Sequence, residues 1–214
     1  MSTWQIVPGE RKVTITLKPG ETVRCTYRNE EPTRSHAFWS THYTIASDTW
    51  LLIPPEERKL CSIDTKDLSR PNGDASNVPG VGSVPLTVQS MEGGFWSNIV
   101  RTSLKGKRTA LDGARMVLVQ QLLAAMLNVM MDARLNGDSW DAGDPIFQES
   151  IQFINDAKAA YCGSNTRLIL TKATELFFFN NGGEKTELPP GMSPRAEPQK
   201  ARKAAAEDYW DDLP

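Results

Sequence analysis

The sequence predicts a mainly α-helical protein with a small β element. Three to four helices are expected to pack around a buried central helix over residues 107–136, preceded by a two-stranded antiparallel β unit. Three observations carry this reading. Between Met116 and Met131 only Gln120, Gln121 and Asn128 are polar, so apolar side chains surround most of the circumference of a 3.6-residue helix, which must then be enclosed. On both sides of Pro19-Gly20 apolar residues alternate with period two. Beyond Gly137, two more segments carry apolar residues at helical spacing and are joined by a short turn. Three regions follow: a strand pair over 1–31, a helical domain over 32–183 with a long irregular loop at 54–94, and a proline-rich extended segment with a short C-terminal helix over 184–214.

In the first region Val13, Ile15 and Leu17 alternate with Thr14, Thr16 and Lys18, and Val23, Cys25 and Tyr27 with Thr22, Arg24 and Thr26. Pro-Gly favours a type I or II turn, whose twist suits a tight hairpin poorly, so a wider hairpin or an arch between sheets fits equally well. A lone strand pair is marginal in water and needs a sheet, a helix face or another chain to cover it. Residues 31–47 hold the only two histidines, His36 and His42. With Cys61 they fit no regular ligand spacing, so the segment reads as an aromatic anchor of Phe38, Trp39, Tyr43 and Trp50. Residues 56–94 are punctuated by Pro54-Pro55, Pro71-Asn72-Gly73, Pro79-Gly80 and Gly93-Gly94. A short helix over 86–91 is expected there, with Phe95, Trp96 and Ile99 against the central helix, and the loop is the first choice for an interaction surface.

The central helix opens at Thr109 with Asp112 three residues on, an approximate capping box, and stops at Asn136-Gly137. A membrane span is disfavoured: the apolar run is short of ~20 residues, Gln120 and Gln121 lie near its centre, and charges crowd its ends. Asp138, Asp141 and Asp144 follow at three-residue spacing in a glycine-containing loop. They are candidate calcium ligands, but the EF-hand pattern is absent and Asp144 before Pro145 reads better as a helix N-cap. No metal or cofactor is therefore expected. The next helix presents Phe147, Ile151, Ile154, Ala157 and Tyr161 on one face. Asn165 caps another bearing Ile169, Ala173, Leu176 and Phe177, which stops at Asn181-Gly182-Gly183. Near the end, Pro198 starts a short helix with Ala201 and Ala205 on one side, and Trp210 marks a tail that docks.

The chain has 214 residues and a net charge of −2, which gives no nucleic-acid footprint. Three cysteines lie far apart without C-x-x-C spacing, and a Cys61–Cys162 bridge stands beside the alternative of small buried hydrophobes. No nucleophile elbow, zinc motif or phosphate loop occurs, so no catalytic residue is assigned and an enzyme is not expected. Residues 1–30 lack a basic start followed by an apolar run, which argues for a cytoplasmic location if Met1 is the natural start.

Two resemblances add to this. ITLKPGETVRCTYRNEE over residues 15–31 resembles the closing strands of a prealbumin-like β-sandwich of bacterial adhesins and pilin stalks. That implies the end of an upstream sandwich, or strands that complete a neighbouring subunit's sheet. AFWSTH at 37–42, KRTALDGARMVLVQQLLAAMLN at 107–128, and FFFNNGGEKTELPPGMSPRAEP followed by YWD resemble an uncharacterised family of bacterial secreted or cell-surface proteins, with Ala37 where glycine is usual. The resemblance implies a non-catalytic structural or adhesive module outside the cell, self-associating or bound to other proteins. The alternative is an intracellular α-helical binding domain; less favoured is an enzyme of unrecognised class.

Overall fold

The computed structural model describes residues 3–7, 12–16, 19–20, 33–60, 85–100, 107–136, 140, 145–183, 195–207 and 210. Its centre is a helix of 27 residues, Ala110–Asn136. Thr109 starts it, its hydroxyl accepting from the Asp112 N–H at 3.0 Å, while the Asp112 carboxylate sits in the first turn where the dipole favours it. Leu, Met and Ala, which lose little rotamer freedom in a helix, fill the interior. Met116, Leu118, Val119, Leu122, Leu123, Ala124, Ala125 and Leu127 are completely buried. By length and composition this helix could cross a membrane, but 83% of its most apolar window is buried within the protein.

Among the described residues there are seven helices rather than three or four: α1 His36–Trp39, α2 Tyr43–Leu52, α3 Val88–Trp96, α4 Ala110–Asn136, α5 Pro145–Cys162, α6 Thr166–Gly182 and α7 Pro198–Ala205. α6 lies against α4 more extensively than any other element does, α5 and α1 to α3 also pack on it, and α7 packs on α3. Asn165 caps α6 through the Leu168 N–H at 3.1 Å. The buried stripe of α6 is Ile169, Ala173, Leu176 and Asn180; Phe177, expected on that stripe, is 49% exposed, because it stands a further 100° round the helix from Leu176.

Two expectations need correction. Strands β1, Thr3–Val7, and β2, Lys12–Thr16, pair antiparallel with Thr3 opposite Thr16 and Val7 opposite Lys12. The unit predicted around Pro19-Gly20 is thus not supported: β2 pairs with the residues before it, and 22–27 fall outside the described residues. Pro19-Gly20 forms an exposed turn with Gly20 at φ 87°, consistent with the poor match between Pro-Gly and a tight hairpin.

The second correction concerns the loop at 54–94: the short helix expected over 86–91 is present but spans Val88–Trp96 as α3, so the end of the loop is core. Thr87 accepts from the Ser90 N–H at 3.0 Å to open α3, and Gly93-Gly94, read as breakers, lie inside that helix. A Cβ on Gly94 would come within 2.9 Å of Leu123 Cδ1 and 3.4 Å of Trp210 Cε2, so glycine here permits close packing of α3 on α4. Residues 61–84 of that loop, the proline-rich segment at 184–194 and Asp144 lie outside the described residues.

Candidate functional site

Arg115, Gln120, Gln121 and Asn128 of α4 tie neighbouring elements to it. Asn128 Oδ1 accepts from the Arg34 N–H at 2.7 Å and from Trp39 Nε1 at 2.9 Å. Its Nδ2 donates to the Arg34 carbonyl and to Asn180 Oδ1, both at 2.9 Å. Asn180 Nδ2 in turn donates to the Gln121 carbonyl and side chain. Gln120 Nε2 reaches the carbonyls of Gly94, Phe95 and Ser97, the orphan acceptors at the end of α3. Arg115 donates to the carbonyls of Tyr161 and Gly163, placing a cation at the negative end of α5. Buried amides and guanidinium groups therefore register α3, α5, α6 and the segment before α1 on the central helix. A void of about 10 Å³ beside Asn128, Asp132 and Ser150 has room for one water.

Titratable and aromatic groups gather where α2, α3 and α7 meet. Glu92 on α3 is fully buried, and neither carboxyl oxygen has a hydrogen-bond partner. Burial pushes its pKa up to about 8; the neighbouring Trp96 N–H offsets this in part, although it donates to the Ser40 carbonyl at 3.0 Å. At neutral pH Glu92 is thus a neutral acid sealed from solvent. Over this junction Lys200 stands 4.7 Å from the Tyr43 ring and Arg202 4.7 Å from the Trp96 ring. Burial, then the charges of Glu92, Glu207 and Glu197, holds the Tyr43 phenol above its ordinary value. Glu197 caps α2 from a distance, since His42 at that N-cap makes no side-chain cap: Glu197 Oε2 accepts from the Thr44 N–H at 2.9 Å, and its own N–H donates to the Thr41 carbonyl. Hydrogen bonds from Thr44 hold the Glu197 carboxyl below the usual range.

The tail closes this face. Trp210 is 2% exposed, its Nε1 donates to the Ser90 carbonyl and its N–H to Ser97 Oγ. Arg108 donates to the Trp210 carbonyl at 2.9 Å and pairs with Asp112 at 2.8 Å.

Among the described residues His36 and His42 do not share a partner. His36 Nε2 meets the Phe95 carbonyl at 3.3 Å, whereas His42 stacks on Phe38 with centroids 3.9 Å apart and its Nδ1 lies 2.8 Å from the Phe38 carbonyl. Burial lowers the His36 pKa, offset in part by that Phe95 contact. Asp138, Asp141 and Asp144, and Cys61, lie outside the described residues. Among the described residues no group of three or more metal-ligating side chains gathers. Cys162, at the end of α5, is disulfide-bonded.

Glu92 and Glu197 were not singled out from sequence. A signal existed for the first: it is the one acid between the core residues Met91 and Phe95. None existed for the second, whose partner Thr44 is 153 residues away. No family model matches the chain, and no curated protein or solved structure shows significant similarity to it.

Proposed function

We propose that the chain is a non-catalytic structural or adhesive module of an exported bacterial protein displayed at the cell surface, engaging other proteins or further copies of itself. The disulfide at Cys162 carries the reading. Such bonds persist in oxidising compartments, and this one sits where α5 turns into α6, with Cys61 as the proposed partner. Among the described residues, Glu92 is sealed, both imidazoles lie against main-chain carbonyls, and Asn128 and Arg115 tie elements to α4. The β1–β2 ladder adds strand edges of the kind through which subunits of surface assemblies join.

The competing reading, an intracellular α-helical binding domain, draws on the exposed aromatic pair Phe177 and Phe178. Thiol trapping and peptide mapping of the protein from fractionated native cells separate the two. Surface material with Cys162 in a disulfide supports export, and cytosolic protein with three free thiols overturns it.

A further inference from the structure

We propose that α6 pairs with α6 of a second copy of this chain, antiparallel, about a twofold axis at Thr174. The inference rests on the outward face of one helix and is independent of where the protein resides.

With Ile169, Ala173, Leu176 and Asn180 directed into the body, the opposite face presents Leu170, Thr171, Thr174, Phe177 and Phe178 to solvent. Phe178 is 70% exposed and meets Phe177 edge to face at 5.8 Å. A solvent-facing helix surface ordinarily carries charge, yet the only charge on this one is Arg167 at its start. The flanking Lys172 and Glu175 neutralise each other at 2.8 Å. Such a face selects a neutral, apolar occupant, because a charged partner would lose its hydration without gaining a counter-charge.

The face itself is such an occupant, and its order is self-complementary. Counting from Thr174, Thr171 and Phe177 lie three residues to either side, Leu170 and Phe178 four, and Arg167 and Asn181 seven. Those offsets keep all of them on one side of the helix. An antiparallel pair crossing at Thr174 sets Leu170 of each copy against Phe178 of the other. Arg167 of each copy comes beside Asn181 of the other; the Asn181 Nδ2 donates to the Phe177 carbonyl at 2.6 Å, which leaves its amide oxygen to accept from the guanidinium. The two arginines stand about 21 Å apart along the axis, beyond the screening length at physiological salt, so they do not oppose the pairing. Threonine at the crossing point allows the helices to approach closely.

Sedimentation equilibrium of the full chain over a concentration series tests this. The wild type is expected to dimerise. Phe178→Glu and Leu170→Glu are each expected to weaken the dimer roughly thirtyfold, as loss of a central interface anchor does. Circular dichroism, and the melting temperature at concentrations where the wild type is monomeric, should not change, since both positions are exposed in the monomer. The double variant Leu170→Lys with Phe178→Glu sets opposite charges across the axis and is expected to recover association that Phe178→Glu alone loses. A wild type monomeric at every concentration, a dimer indifferent to the single variants, or a double variant no better than Phe178→Glu would each overturn the proposal.

Discussion

At the scale of single residues, Asn128 and Glu92 are two interior polar groups in opposite situations, the first fully hydrogen-bonded and the second with no partner for either carboxyl oxygen. Asn128 uses both its oxygen and its amide, so Asn128→Ala strands the Arg34 N–H and the Trp39 indole without an acceptor. The expected cost is about 2–4 kcal/mol, read from urea denaturation. Glu92 behaves in the opposite sense. Its folded pKa, about 8, lies above the ordinary 4.5, so the folded state binds more protons than the unfolded one between those values. Its contribution is fully present below pH 4.5 and declines as the pH rises to about 8, by at most roughly 1.4 kcal/mol per pH unit. Glu92→Gln should remove that slope and stabilise the protein at alkaline pH, seen as equal urea midpoints at pH 5 and pH 9 where the wild type falls. A wild type whose stability is flat across this window would show that the carboxyl ionises freely. Glu197 carries the reverse sign: its carboxyl is held low by Thr44, so its clamp on α2 is lost as the pH falls through the acid range.

At the scale of elements, periodicity and capping made the helices legible. Thr109, Asp112 and Asn165 act as their spacing implies, and the apolar run from Met116 to Met131 is the enclosed helix that its composition demands. What was not legible depended on distant contacts. Gly93-Gly94 reads locally as a break, but is helical, and a Cβ on Gly94 would crowd Leu123 and Trp210. α2 was missed because its N-cap acceptor comes from Glu197, and its buried Trp50 donates to the Leu86 carbonyl rather than to a neighbour in sequence. The strand pairing was misplaced because β2 alternates regularly towards either flank, and period two does not say which flank pairs. Gly94→Ala should cost about 1–3 kcal/mol and loosen Trp210, visible as a shift in tryptophan emission. Leu122→Ala or Leu127→Ala should cost ~2–5 kcal/mol, while Gln199→Ala on the exposed side of α7 should be near neutral.

At the scale of the whole molecule, remote parts of the chain are fastened to α3 and α4. The docked Trp210 reaches Ser90 and Ser97 on one side, and the Arg34 backbone reaches Asn128 on the other. Reduction of the Cys162 disulfide should lower stability by about 2–4 kcal/mol, measured as a fall in melting temperature with reductant. The central claim is that α4 is shielded all round by its own chain, so that no smaller opening than global unfolding exposes it. Native-state hydrogen exchange tests this most directly. Amides of Val119, Leu123 and Leu127 should exchange only with the free energy of global unfolding and respond to urea with the full unfolding slope. Exchange of those amides at rates independent of urea, while α5 and α6 remain protected, would contradict it.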